Sequence, residues 1–86
     1  MIPVPTVRPW HATLEVELLY DVGVRVHAST TENFTPTDAT FRGVLYAPGF
    51  FRILGLTPGV DYYVKLTDFG GEDVSDPSVA VRVAVS

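Results

Sequence analysis

His11 and His27 are the side chains of this 86-residue chain best suited to proton transfer or metal ligation. They stand sixteen positions apart, and neither has a carboxylate or second histidine at ligand spacing beside it. A zinc site takes three or four converging ligands, so two isolated imidazoles do not make one. His27 falls out of phase with Val24 and Val26, which places it on a solvent-facing side and predicts an ordinary surface histidine. A second group is acidic: Asp68, Glu72, Asp73 and Asp76 lie close together, with Asp61 upstream. Calcium takes about six to eight oxygens from acids at alternating positions. The spacing here lacks that rhythm, so a solvated acidic loop is expected. There is no Gly-x-Ser-x-Gly elbow, phosphate-cradling glycine loop or triad spacing. A domain this small seldom encloses a catalytic pocket. No enzyme, metal or cofactor is expected, and no residue is assigned a catalytic role.

The charge balance narrows the partners. Ten acids against six bases give a formal charge of −4, and Arg8, Arg25, Arg42, Arg52, Lys65 and Arg82 are spread evenly instead of forming a basic stripe. Nucleic acid binding, which needs clustered bases to neutralise phosphates, is not expected. No apolar run approaches the ~18 residues of a membrane span, and no membrane association is expected. Without cysteine, stability must come from packing. The start, Met-Ile-Pro-Val-Pro, lacks the charged opening of a signal peptide. The chain is expected to stay where it is made or to be exported within something larger. Asn33-Phe34-Thr35 fits a glycosylation acceptor, but Pro36 follows it, and a chance match is expected.

The elements that must position these residues are strands. Leu14, Val16 and Leu18 alternate with Thr13, Glu15 and Glu17, predicting a strand over 12–19 with one wet face. Val22, Val24 and Val26 predict a second over 22–29. Residues 30–38 are polar and turn-rich, 39–46 form a third strand, and Phe51 and Ile53 mark a short fourth. Tyr62, Val64 and Leu66 line the inner face of a strand over 61–68. Asp68 then falls where alternation points inward, so either a bulge turns it out or the strand has already left the sheet. Gly70 to Pro77 form a loop, and Val79, Val81, Val83 and Val85 predict a closing strand over 78–85. Residues 2–8, with Pro3 and Pro5, can form only an edge strand or an extended arm. Short strands joined by Gly/Pro turns predict a seven-stranded antiparallel β-sandwich. Its organisation is a proline-rich arm or edge strand over 1–11 and the sandwich over 12–86.

Residues 53–64, Ile-Leu-Gly-Leu-Thr-Pro-Gly-Val-Asp-Tyr-Tyr-Val, read as a strand, a Pro-Gly crossing and a strand. Such a crossing lets Tyr62 bury its ring and return its hydroxyl to nearby backbone, a tyrosine corner. Ile53, Gly55, Leu56, Pro58, Gly59 and Tyr62, followed by Val64 and Leu66, resemble the corresponding crossing of fibronectin type III domains, members of the immunoglobulin-like group. Gly70-Gly71, Ser75-Asp76-Pro77-Ser78 and the valine ladder extend the likeness over residues 50–86. Two features depart from that family. Its buried tryptophan on the second strand is replaced by an aliphatic residue such as Val16, while Trp10 caps the core from the preceding turn. Tyr20-Asp21 leaves so short a connection that the strands at 12–19 and 22–29 are expected to pair directly, as hairpins do. No Arg-Gly-Asp sequence is present to support integrin binding.

The resemblance implies a non-enzymatic structural or protein-interaction module. Ten aromatic residues exceed what so small a sandwich buries, so some of them should form contact surface. Ala80 and Ala84 leave the outer side of the closing strand small enough to lie flush against a neighbour. A chain of this size without linker or cysteine suits a virion component of a tailed bacteriophage, a capsid decoration or tail part. Its partners would be protein subunits, with homo-oligomers possible within the particle, and the arm would add a strand to a neighbour's sheet. The alternative is an extracellular carbohydrate- or ligand-binding accessory module whose platform is Trp10, Phe34 and Phe69. A third reading, an excised or designed scaffold, would place function in the loops 30–38 and 68–77.

Overall fold

Alternating sequence becomes strand where every second side chain finds a shared interior, as in Thr13–Leu18, Gly23–Ser29 and Asp61–Thr67 of the seven strands. A computed structural model describes residues 2–84; Val85, the last of the valine ladder, lies outside the described residues. The strands are β1 (Thr6–Trp10), β2 (Thr13–Leu18), β3 (Gly23–Ser29), β4 (Phe41–Tyr46), β5 (Gly49–Ile53), β6 (Asp61–Thr67) and β7 (Val81–Arg82). They form two antiparallel sheets, ordered β1-β2-β5 and β4-β3-β6-β7, with no helix among the described residues. The architecture is all-β and sandwich-like. Leu14 and Val16 of β2, Val24 and Val26 of β3, Ile53 of β5, and Val64 and Leu66 of β6 are all fully buried in one interior. The aliphatic pair of β2 therefore occupies the region expected to lack a tryptophan. Trp10 does not cap this core: it is 44 % exposed on the outer side of the three-stranded sheet.

The expected hairpin between the segments at 12–19 and 22–29 does not form. β2 pairs with β1 and β5, whereas β3 lies in the other sheet. The reason is geometric. The five peptide steps from Leu18 to Gly23 reach about 17 Å when extended, more than the ~10 Å between packed sheets. A second crossing, from Tyr46 to Gly49, runs alongside, and Val22 and Ala47 exchange backbone hydrogen bonds at 3.3 and 2.8 Å. Each crossing thus supplies the polar partners that a hairpin partner would have given.

The third crossing is the one legible in the sequence. Leu56 is buried, and Tyr62 buries its ring and accepts a hydrogen bond from the Thr57 backbone N–H on its hydroxyl at 3.0 Å. Val83 binds the same loop from the other side, accepting from Gly59 N–H at 2.8 Å and donating to Val60 O at 3.1 Å.

Two edges depart from regular pairing. On β4 the register with β3 slips between Val26↔Gly43 and His27↔Phe41. Gly43 takes a φ of 151°, and a Cβ there would lie 2.4 Å from Cζ of Phe51. This bulge closes β4 onto the β5 side, which blunts an otherwise open edge. The closing strand is shorter than predicted: only Val81 and Arg82 pair with β6, at Tyr62 and Asp61. Pro77 has no N–H, and the run before β7 is held by serines. Ser75 and Ser78 donate their N–H groups to Leu66 O and Val64 O, while their hydroxyls accept from Leu66 N–H and Val64 N–H at 2.9 and 3.0 Å. The three-residue serine spacing shifts the alternation, so Ser78 is buried and Val79 is turned out. Strand β6 ends at Thr67, so Asp68 has left the sheet.

Ser78→Ala and Ser75→Ala each leave a buried N–H of β6 without a partner, and each is expected to cost about 1–3 kcal/mol. Tyr62→Phe is expected to cost less, about 0.5–1.5 kcal/mol, because Thr57 is exposed and water replaces the lost hydroxyl. Urea denaturation of the three variants measures the order; a Tyr62→Phe loss exceeding both serine losses contradicts it.

Candidate functional site

Residues out of phase with the core build two outer faces. On the three-stranded sheet, Arg8, Glu15, Glu17 and Arg52 meet across β1, β2 and β5. Glu15 accepts from Arg8 at 2.8 Å and lies 3.5 Å from Arg52, while Arg8 also reaches Glu17 at 3.6 Å. The Arg52 guanidinium lies 3.7 Å from the centroid of Trp10 and 5.5 Å from that of Phe50. The side chain of Glu15 is only 10 % exposed as a result. Isolated exposed ion pairs contribute roughly 0.2–1 kcal/mol. Here one carboxylate serves two arginines against an aromatic lid, and the wet face expected for β2 is covered by its own neighbours.

The outer face of the four-stranded sheet is covered differently. His27 was expected in solvent, yet it is 5 % exposed. The segment after β3 folds back over the sheet and lays the turn Thr37–Thr40 on the ring. Thr40 Oγ1 donates to Thr37 O at 3.0 Å, which leaves it to accept from Thr37 N–H and from His27 Nδ1–H, at 2.9 and 3.0 Å. With Nδ1 protonated, Nε2 accepts from the Thr67 hydroxyl at 3.4 Å. Burial lowers the pKa of His27 from 6.5, and Arg25 adds to this, against the opposing effects of Thr37 O and Asp38. Beside it lies a shallow cleft of about 170 Å³, bordered by Arg25, Thr35, Asp38, Thr67 and Val74. The His27 imidazole is engaged at both nitrogens by threonine hydroxyls.

The remaining expected groups are dispersed. His11 sits in the β1–β2 turn with φ 53°, its ring 4.2 Å edge-on to Trp10, on the sheet that does not contain His27. Asp61 begins β6 and pairs with Arg82 at 2.9 Å, which raises the arginine's pKa. Asp68 follows the other end of that strand, where its Oδ1 accepts from Glu72 N–H at 2.9 Å. No group of three or more His, Asp or Glu side chains among the described residues converges on a metal position. The Tyr62 hydroxyl is lowered below its usual pKa by the Thr57 N–H it accepts, since that bond favours the phenolate.

The structure does not bring Trp10, Phe34 and Phe69 to one surface. Trp10 belongs to the three-stranded face, Phe34 is buried, and Phe69 lies across Gly23 on the opposite sheet. It brings together another set instead. Leu19, Tyr20 and Val22 of the first crossing, Tyr46 at the end of β4 and Phe69 after β6 are all exposed, and the strand order brings these connections to one end of the two sheets. Tyr46 and Phe69 meet edge-to-face at 5.9 Å. Sequence reasoning foresaw some aromatic exposure but not this grouping, because the residues come from three connections. Gly23, opposite Tyr46 in the strand register, is its only local signal. No family model matches the chain, and no curated protein matches it in sequence.

The His27 geometry predicts a pH dependence. The unfolded chain takes up this proton near pH 6.5 and the folded one only at lower pH. The stabilising contribution of neutral His27 is therefore complete above about 6.5 and is lost as the pH falls through the folded value. Denaturation free energies measured between pH 8 and about 5, above the ordinary carboxylate range, should be flat and then decline. The decline should be weaker in His27→Gln; a wild-type stability that rises on acidification contradicts the assignment.

Proposed function

We propose that the chain is a non-enzymatic protein-interaction module of fibronectin type III-like build, serving as a small structural component of a bacteriophage virion. Support for the fold type comes from the strand order. The fourth strand lies beside the third, whereas the constant-type immunoglobulin arrangement joins it to the sheet of the first, second and fifth. The tyrosine corner at Thr57–Tyr62 supports the same assignment.

The observation that carries the interaction reading is the end surface of Leu19, Tyr20, Val22, Tyr46 and Phe69. Leu19 and Tyr46 are 73 % and 76 % exposed, and grouped apolar exposure of this kind marks contact sites. The Glu15 network covers part of one face and the folded-back loop part of the other, while Phe50, Leu54 and Val79 also stay exposed. The end surface differs from these in holding a packed aromatic pair, Tyr46 and Phe69. Assembly into a particle multiplies weak contacts of this size by effective concentration. A carbohydrate platform is less well supported, because its three aromatics are separated.

The test is recovery from particles. Expressed with the products of its neighbouring genes, the chain should co-purify with particles at a fixed copy number. The fluorescence of Trp10, the single tryptophan, should be unchanged on glycan titration. Recovery solely as free monomer, with a saturable fluorescence response to a glycan, rejects the proposal.

A further inference from the structure

Three of the six exposed aromatic rings, Trp10, Phe41 and Phe50, carry a cation of the chain itself. Arg52 lies over Trp10 and Phe50, Arg25 lies over Phe41 at 4.9 Å, and Lys65 lies over the buried Phe34 at 5.4 Å. Among the described residues Tyr20, Tyr46 and Phe69 carry none, and the last two pack together. Their rings make one edge-to-face unit that is well exposed, and no basic side chain among the described residues lies over either.

The unit is held by the backbone beneath it. Gly23 pairs with Tyr46 across β3 and β4, and a Cβ at Gly23 would lie 2.6 Å from Cζ of Phe69 and 3.5 Å from Cδ1 of Tyr46. A side chain at position 23 would push the Phe69 ring away. The connections that carry the unit hold acids. Asp68 immediately precedes Phe69 and is fixed by the Glu72 N–H, Glu72 follows on the same loop, and Asp21 lies two residues before Gly23. Arg25, the nearest base along β3, is turned to Phe41. Ring faces carry partial negative charge and attract cations, and the carboxylates add a field of the same sign.

We propose that Tyr46 and Phe69 form a docking site for a guanidinium or ammonium side chain carried on a basic segment of a partner protein. The protein nature of the partner rests on the interaction reading above; the positive charge rests on the rings and acids. Gly23 is a positioning residue that seats Phe69, and Asp21, Asp68 and Glu72 supply the long-range attraction.

The experiment titrates the ¹⁵N-labelled full chain with a capped Gly-Arg-Gly-Arg-Gly peptide and with its citrulline counterpart, which keeps the shape and loses the charge. The arginine peptide should shift the amides of Gly23, Tyr46 and Phe69, and raising the ionic strength should weaken it. Tyr46→Ala and Phe69→Ala should each weaken binding about 2- to 5-fold, the range for one exposed cation–ring contact. Gly23→Ala, which retains both rings but displaces one, should weaken it as well, with the remaining amide spectrum unchanged as the sign of an intact fold. Equal shifts from the citrulline peptide, no shifts, or shifts centred elsewhere overturn the cation site. If Tyr46→Ala or Phe69→Ala also removes the chain from particles while both peptides behave alike, the interaction reading stands and the cation site falls. Arginine-selective shifts with no particle association give the reverse.

Discussion

Three times the chain passes between two layers of strands, and at each passage its peptide groups leave the ladders that satisfied them. A buried N–H or C=O without a partner costs about 1–3 kcal/mol, roughly twice what an ordinary hydrogen bond gains, so these crossings weigh heavily in a sandwich of this size. The first two solve the problem jointly, Val22 and Ala47 binding each other across adjacent connections. The third uses a side chain, Tyr62, and the backbone of Val83. The same requirement reappears along β6, where Pro77 rules out a regular partner and Ser75 and Ser78 serve both peptide groups of Leu66 and of Val64. No described buried side-chain polar atom is left without a partner.

With the crossings fixed, the outer faces follow from what the connections can reach. Strand β2 brings Glu15 between Arg8 and Arg52, and Trp10 lies over the second of these. The loop after β3 is long enough to return over its own sheet, and it covers His27 with threonine hydroxyls. The buried histidine has a lowered pKa and is engaged at both nitrogens, and Asp61 and Asp68 stand at opposite ends of β6. Function, on the reading proposed above, belongs to surface the scaffold leaves uncovered.

That surface is a product of connection lengths. The short crossing at 19–22 carries Leu19, Tyr20 and Val22 to the end of the molecule at which β4 and β6 also terminate. Gly23 opens the strand surface there, and Phe69 lies into the opening. A fold of this kind hosts many unrelated activities, so contact chemistry belongs to these side chains and not to the architecture.

The sequence by itself determined the five strands β2 to β6, the inward phase of β2, β3 and β6, and the Leu56–Tyr62 crossing, since period-two alternation and Pro-Gly turns are local properties of the chain. It also left Asp68 with two positions, of which the structure takes departure from the sheet. What it could not determine depends on partners distant along the chain. Whether residues 19–22 form a hairpin or a crossing is decided by Ala47, twenty-five positions from Val22. His27 is buried because Thr37, Thr40 and Thr67 arrive from other segments, and alternation registers only which face a residue takes, not what later covers that face. Val79 turns outward because two serines found the backbone of β6. Tyr46 and Phe69 meet because three connections end together, a juxtaposition that exists only once the two sheets are stacked.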